Sequence, residues 1–346
     1  MHYNPALDGV RALSILAVVL FHSNVPGAGG GFAGLDMFFV LSGFLITSLL
    51  ADEYRQAGDI RIGRFYARRA LRLYPTLLLM LAAYIGLAPI VWPTENRWMS
   101  ASLSALYVMD YAMAFIRNLP PTVAHTWSLG VEEKFYLLWP LLLPLVLRTR
   151  RPVAWLVAAF VAVTAWRYFV ALNWGWRQAY FSFDTRMSGI LLGAIAALAR
   201  PKVSGGSVAV ASVALAFAIA MPFMPSLPLH REVEAVTLSI TLAELCSFLL
   251  ICHVADHAHS RFLASRPMVY IGRLSYGIFI WHFPLVFTLR KLGTPVWITL
   301  TCGIAFSFAM AAICLHLVDM PIKRWRERAW PLSRLAGSAP PIQSDP

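Results

Sequence analysis

The chain has 346 residues, 59% of them hydrophobic and only 13% charged, with a formal net charge of +12. That is more apolar surface than a soluble domain of this length buries, so the composition excludes a soluble globular protein and points to an integral membrane protein of several spans. The positive charge does not imply a nucleic-acid partner. The basic residues cluster beside apolar runs, which is the pattern of loops held on the cytoplasmic side of a lipid bilayer.

Residues 7–49 are predicted to form two apolar helices joined by a turn that holds Gly27, Gly29, Gly30 and Gly31. On the first helix Arg11 and His22 lie eleven residues apart, almost three whole turns, and share a face; Asp8 lies near it. Asp36 on the second helix lies at the same end of the hairpin as His22, so a carboxylate and an imidazole can meet there. Ionisable groups in an apolar span are costly, and a functional site is their default reading. The bland alternative is an Asp8–Arg11 ion pair and a merely interfacial His22. Residues 12–21 have the length of a signal-peptide core, but Asp8 precedes them and no clear cleavage site follows, so a retained helix is expected.

The next connection carries Arg61, Arg64, Arg68, Arg69 and Arg72. At helical spacing Arg61, Arg64, Arg68 and Arg72 form one stripe, either an amphipathic helix resting on anionic lipid or a clamp for phosphate, which guanidinium forks bind bidentately.

Apolar runs near residues 8–24, 34–52, 71–92, 129–147, 152–170, 185–199, 206–223, 236–255, 269–289 and 296–318 give ten candidate helices. An eleventh, 100–115, is short, contains Asp110 and is followed by Arg117 and Pro120-Pro121. If it does not cross, eighteen basic residues of the connections share the side of the N-terminus and six lie opposite; if it crosses, that bias largely disappears. The expected fold is therefore all-α, a polytopic transmembrane helix bundle of about ten spans plus a re-entrant or surface helix. Both termini are expected in the cytoplasm and the bundle in the inner (plasma) membrane. It should form one domain over residues 1–330, followed by a disordered cytoplasmic tail over 331–346.

Further along stands His125-Thr126-Trp127-Ser128-Leu129-Gly130-Val131-Glu132-Glu133-Lys134-Phe135-Tyr136. Ser128 is placed to cap a helix, with Glu132 and Glu133 near its positive end, an ordinary structural arrangement. In the ten-span topology this end faces outward with His22 and Asp36, which makes Glu132 a candidate for the same site. Asp184-Thr185-Arg186-Met187-Ser188-Gly189 opens another helix, where Arg186 is placed to pair with Asp184, and Gly189 and Gly193 suit close helix packing. A later helix carries Tyr276 and then Trp281-His282-Phe283-Pro284. Pro284 should kink its outer end and free backbone carbonyls, leaving His282 to bond either a sugar hydroxyl or a carbonyl. Trp174 and Trp176, beside Arg177, read as an interfacial belt more readily than as a sugar platform. Cys246, Cys252, Cys302 and Cys314 fall inside apolar runs as core residues, and the histidines form no metal-ligand constellation, so no metal is expected.

Several of these segments carry a resemblance. Leu7-Asp8-Gly9-Val10-Arg11 leading to Phe21-His22, the run from Gly34 through Asp36-Met37-Phe38-Phe39 to Thr47, the pair Arg69 and Arg72, Trp127-Ser128-Leu129 with Glu132, and the segment around Arg186 are similar, in order, to the acyltransferase-3 family of membrane O-acyltransferases. The resemblance covers roughly residues 5–325. It implies transfer of an acetyl or similar short acyl group from cytoplasmic acyl-CoA, acetyl-CoA above all, to a hydroxyl of an envelope glycan, glycolipid or exported small molecule. His22 oriented by Asp36 is then the base, Arg11 or the Trp127-Ser128 turn stabilises the oxyanion, and Glu132 joins them. Arg68, Arg69 and Arg72 hold the donor's phosphates; Trp127, Ser128, Arg186, Tyr276 and His282 contact the acceptor. Some members carry an additional extracytoplasmic hydrolase-like domain; none is visible in this sequence, which is expected to act alone or with a separate partner. The competing reading is a non-enzymatic carrier of a lipid-linked sugar or small solute, which the intramembrane Asp8, Arg11, His22, Asp36, Arg186, Glu244 and His282 would serve equally well.

Overall fold

A computed structural model describes residues 3–220, 229–257 and 260–329. A backbone inside a bilayer must satisfy its own hydrogen bonds, and the described residues are helical with no strand among them. In chain order the helices are α1 (Pro5–His22), α2 (Ala33–Ala57), α3 (Ile62–Val91), α4 (Arg97–Ala105), α5 (Met109–Phe115), α6 (Trp127–Leu147), α7 (Pro152–Asn173) and α8 (Trp176–Phe181). They continue with α9 (Phe183–Ala199), α10 (Gly205–Ala220), α11 (Leu229–Glu234), α12 (Ile240–Asp256), α13 (Arg266–Lys291), α14 (Val296–Cys314) and α15 (Met320–Ala329). The expected tail, residues 331–346, lies outside the described residues.

Seven helical segments among the described residues are long and apolar enough to cross a membrane: Pro5–His22, Ala33–Ala57, Ile62–Val91, Pro152–Asn173, Trp176–Ala199, Glu232–Asp256 and Val296–Arg326. The other three apolar runs are helical too, as α6, α10 and α13. They differ from the seven in physical ways. α6 carries Glu132, Glu133 and Lys134, α13 carries Arg266, Arg273, Arg290 and Lys291, and α10 has only 16 residues. The eleventh candidate departs from expectation, because it is two short helices and not one. Between α4 and α5 the chain turns at Tyr107, whose φ is +54°. Nine and seven residues rise about 14 and 10 Å, so neither reaches across a bilayer core of about 30 Å.

α1 lies between α2 and α13, α2 packs along α9, and α9 is backed by α7. Several of these approaches require glycine. A Cβ on Gly193 of α9 would overlap the Val40 carbonyl oxygen on α2, and one on Gly272 of α13 would overlap the Asp8 carbonyl oxygen on α1. These contacts bring charged side chains of neighbouring helices together. The outer surface carries exposed Leu78, Leu87, Leu141, Val161 and Phe217. An apolar belt of this kind has lipid as its natural neighbour.

Candidate active site

His22 is the last residue of α1, at the mouth of the bundle, where Arg290 donates to its carbonyl oxygen. Its ring faces α13, not the start of α2. His22 Nδ1 lies 2.8 Å from His282 Nε2. His282 Nδ1 lies 2.8 Å from the Phe279 carbonyl oxygen and 3.1 Å from that of Ile278. Carbonyls only accept, so neutral His282 carries its proton on Nδ1 and presents a lone pair at Nε2. His22 must then donate through Nδ1, and its Nε2 is left as a free acceptor. The hydrogen-bond network thereby assigns both tautomers.

A third imidazole completes the group. Pro284 lacks an N–H, so the Ile280 carbonyl one turn earlier has no helical donor. His125 supplies one through Nε2 at 3.2 Å, and its ring stacks on Phe283 at 4.9 Å. The freed carbonyl expected from Pro284 is thus taken by a histidine that sequence reasoning quoted but did not single out.

Asp36 does not orient His22. Its carboxylate accepts from Arg186 at 2.6 Å, and both side chains are fully buried. The close α2–α9 packing puts Arg186 there instead of beside Asp184, which accepts from Tyr111 and Trp166. The Arg186 guanidinium also lies 5.2 Å from the Tyr180 ring, 5.5 Å from Phe39 and 6.0 Å from Trp127. It braces aromatic side chains and lines neither of the two cavities beside it. A second buried pair, Arg167–Glu244 at 3.0 Å, shares Ser188 and ties α7 to α9 and α12.

Two cavities meet at this site. The smaller one, about 30 Å³, is lined by His22, His125, Trp127, Ser128 and Tyr180. The other, about 200 Å³, is lined by Arg11, Arg69, Arg72, Glu132, Tyr136 and Tyr276. Leu35, Ser128 and Phe279 line both. Ser128 does not cap α6, which starts at Trp127, and its hydroxyl has no hydrogen-bond partner among the described residues. Glu132 accepts from Ser42 at 2.8 Å and belongs to the arginine-lined cavity, away from the His22 ring.

The arginines divide by partner. Arg69 is held bidentately by Glu133 and lies 3.2 Å from the Tyr136 ring. Arg72 is exposed to the cavity, with no hydrogen-bond or ion-pair partner among the described residues. Arg68 does not line it. Arg11 pairs with Asp8 at 2.8 Å, so the ion pair considered from sequence forms, while Arg11 still lines the cavity. It is about 16 Å along α1 from His22, which removes it as an oxyanion partner at that histidine. Tyr276 donates to the Leu73 carbonyl at 2.7 Å. Among the described residues no group of three or more His, Cys, Asp or Glu gathers as a metal site.

Residues 4–316 match the family model described as an acyltransferase domain. Among curated relatives, the peptidoglycan O-acetyltransferase OatA of Listeria monocytogenes is 28% identical over 93% of this chain and 56% of its own length. The O-acetyltransferase OatA of Staphylococcus aureus is 27% identical over 93% of this chain and 57% of its own. The chain spans about half the length of the curated relatives it matches. No solved structure matches it.

Proposed function

The chain belongs to the acyltransferase-3 family, and we propose that it moves an acetyl or similar short acyl group from cytoplasmic acyl-CoA to a hydroxyl of an envelope glycan on the opposite side. The relatives named for O-acetylation of peptidoglycan support a glycan acceptor. The observation that carries the reading is the meeting of two cavities at Ser128, one lined by an unpaired arginine and the other by a histidine with a free acceptor nitrogen.

In this mechanism Arg72 binds donor phosphate with Arg11 and Arg69 beside it, because guanidinium forks match phosphate oxygens and Arg72 has no hydrogen-bond or ion-pair partner to give up among the described residues. Glu133 and Tyr136 hold Arg69 at the cavity wall. The thioester passes Leu35, Ser128 and Phe279 to reach His22. There His22 Nε2 accepts the proton of the acceptor hydroxyl while its oxygen attacks the thioester carbonyl carbon. The Ser128 hydroxyl donates to the carbonyl oxygen as negative charge develops. The carbon–sulfur bond breaks, and the thiolate of CoA takes the proton back from His22. His282 contributes by position, fixing the His22 tautomer through backbone carbonyls that cannot donate.

The ten-span topology suits this division of labour. With both ends cytoplasmic, Arg72 in the first half of α3 is reached from the cytoplasm and His22 from the outside, so nothing bulkier than an acyl group crosses. The test is thioester turnover by purified protein in detergent, read as free CoA thiol. Wild type should release CoA in an acceptor-dependent way and His22→Ala should not. A wild-type protein that releases no CoA but carries a lipid-linked sugar or small solute across proteoliposomes would overturn the enzyme in favour of a carrier.

A further inference from the structure

A third cavity, of about 210 Å³, opens between the loop after α5 and the start of α8, at the same end of the bundle as His22, and plays no part in the chemistry above. Arg117, Trp174, Trp176 and Arg177 line it. Gly175 separates the two tryptophans at φ +109°, ψ 171°, a conformation open essentially to glycine alone, so the backbone here is shaped to flank the cavity with two indoles. Arg177 is fixed: it donates to the Met113 carbonyl at 2.7 Å, and its guanidinium lies 5.9 Å from the Phe181 ring. Arg117 is exposed and has no hydrogen-bond or ion-pair partner among the described residues. Among the described residues no acidic side chain lines the cavity.

The cavity is also connected to the catalytic centre. α8 carries Trp176 at its start and Tyr180 and Phe181 in its last turn. The Trp176 ring lies 6.5 Å from Tyr180, and Tyr180 lies 5.1 Å from Trp127. Tyr180 and Trp127 both line the cavity of His22. A chain of ring contacts therefore runs from this cavity to the wall of the His22 cavity.

We propose that this cavity is an acceptor subsite for a carboxylate-bearing saccharide unit, one or more residues away from the unit acylated at His22. Indole faces stack on the apolar face of a sugar ring. The free Arg117 and the anchored Arg177 recognise its carboxylate as a charge-assisted fork. The assignment rests on the transfer reading above, and goes beyond it by giving the acceptor a charge and a second point of attachment. An interfacial belt that holds outer-leaflet phospholipid is the competing use of the same side chains.

The test compares a muramic-acid-containing tetrasaccharide with chitotetraose, which has the same number of rings and no carboxylate, bound to the purified full chain in uncharged detergent. Wild type should prefer the acidic saccharide by about tenfold, the scale of one charge-assisted contact. Arg117→Gln should remove most of that preference with chitotetraose binding unchanged, and Arg117→Lys should restore part of it. In turnover, Arg117→Gln should raise KM for the acidic acceptor about tenfold with kcat unchanged. Equal binding of the two saccharides by wild type would overturn the subsite. So would an Arg117→Gln defect seen only in vesicles containing phosphatidylglycerol, which would identify a lipid anchor. Binding is read without turnover, so failure of acyl transfer leaves this test intact, and lost discrimination in an enzyme that still transfers refutes the subsite alone.

Discussion

In the proposed mechanism His282 acts on the reaction only through His22, which gives its removal a distinctive signature. In His282→Leu the His22 Nδ1–H loses its acceptor at 2.8 Å in a buried setting, where His282 itself is fully enclosed. A buried donor left without a partner costs about 1–3 kcal/mol. If that cost falls on the tautomer and orientation that expose Nε2, kcat drops about 5- to 150-fold at about 1.4 kcal/mol per tenfold. His22→Ala removes the base and should cost about 10² to 10⁴. The double variant should be no worse than His22→Ala, because a positioning residue contributes nothing once the residue it positions is gone. His282→Gln, whose amide oxygen can accept, should recover part of the loss. The assay is acceptor-dependent CoA release at saturating donor and acceptor, with thermal unfolding in detergent to confirm folding. Wild-type kcat in His282→Leu, or independent and multiplicative losses in the double variant, would refute the tautomer argument.

Arg72→Ala should raise KM for acyl-CoA about 5- to 150-fold, the equivalent of about 1–3 kcal/mol for a lost charged contact, with kcat little changed. Arg72→Lys should recover only part of this, and Arg68→Ala should leave donor KM unaltered, as steady-state kinetics will report. Glu244→Leu strands Arg167 without its carboxylate in a fully buried site and should destabilise the bundle by about 3–5 kcal/mol; adding Arg167→Met should restore much of the stability, measured by unfolding in detergent. With the four native cysteines replaced, a single cysteine at Gln56 or Thr149 should resist an impermeant thiol reagent added outside cells and one at Asn173 should react. Labelling at position 149 would contradict ten spans.

Hydrophobic runs carry the length and order of the helices, so all ten apolar segments are legible in the sequence. The same reasoning places Asp36 and His22 at one end of a hairpin, since α1 ends at His22 and α2 begins just before Asp36. It does not provide rotation about each helix axis relative to a third helix. That rotation turns His22 toward α13 and Asp36 toward α9, where Gly193 lets the backbones close and Arg186 meets the carboxylate. Pro284 signals a freed carbonyl, but not that His125, some 155 residues earlier, will fill it. The arginine stripe is legible as a stripe. Its division into Arg69, held by Glu133, and Arg72, open to the cavity, depends on where α6 packs and has no local signal. Among the missed residues, Glu133 and Tyr136 stand within the motif that holds Ser128, about one and two helical turns on, and that spacing is the clue that was present.

Donor and acceptor are proposed to meet from opposite sides of the membrane, and sided reconstitution separates this from transfer within one compartment. The protein is placed in proteoliposomes in known orientation, with radiolabelled acetyl-CoA confined to one compartment and a soluble glycan acceptor to the other. Labelled product should form in the acceptor compartment only when acetyl-CoA faces the Arg72 side and the glycan faces the His22 side, and Arg72→Ala and His22→Ala should each suppress it. Product formed only when both substrates share one compartment would place both binding sites on the same side and rule out transfer across the membrane.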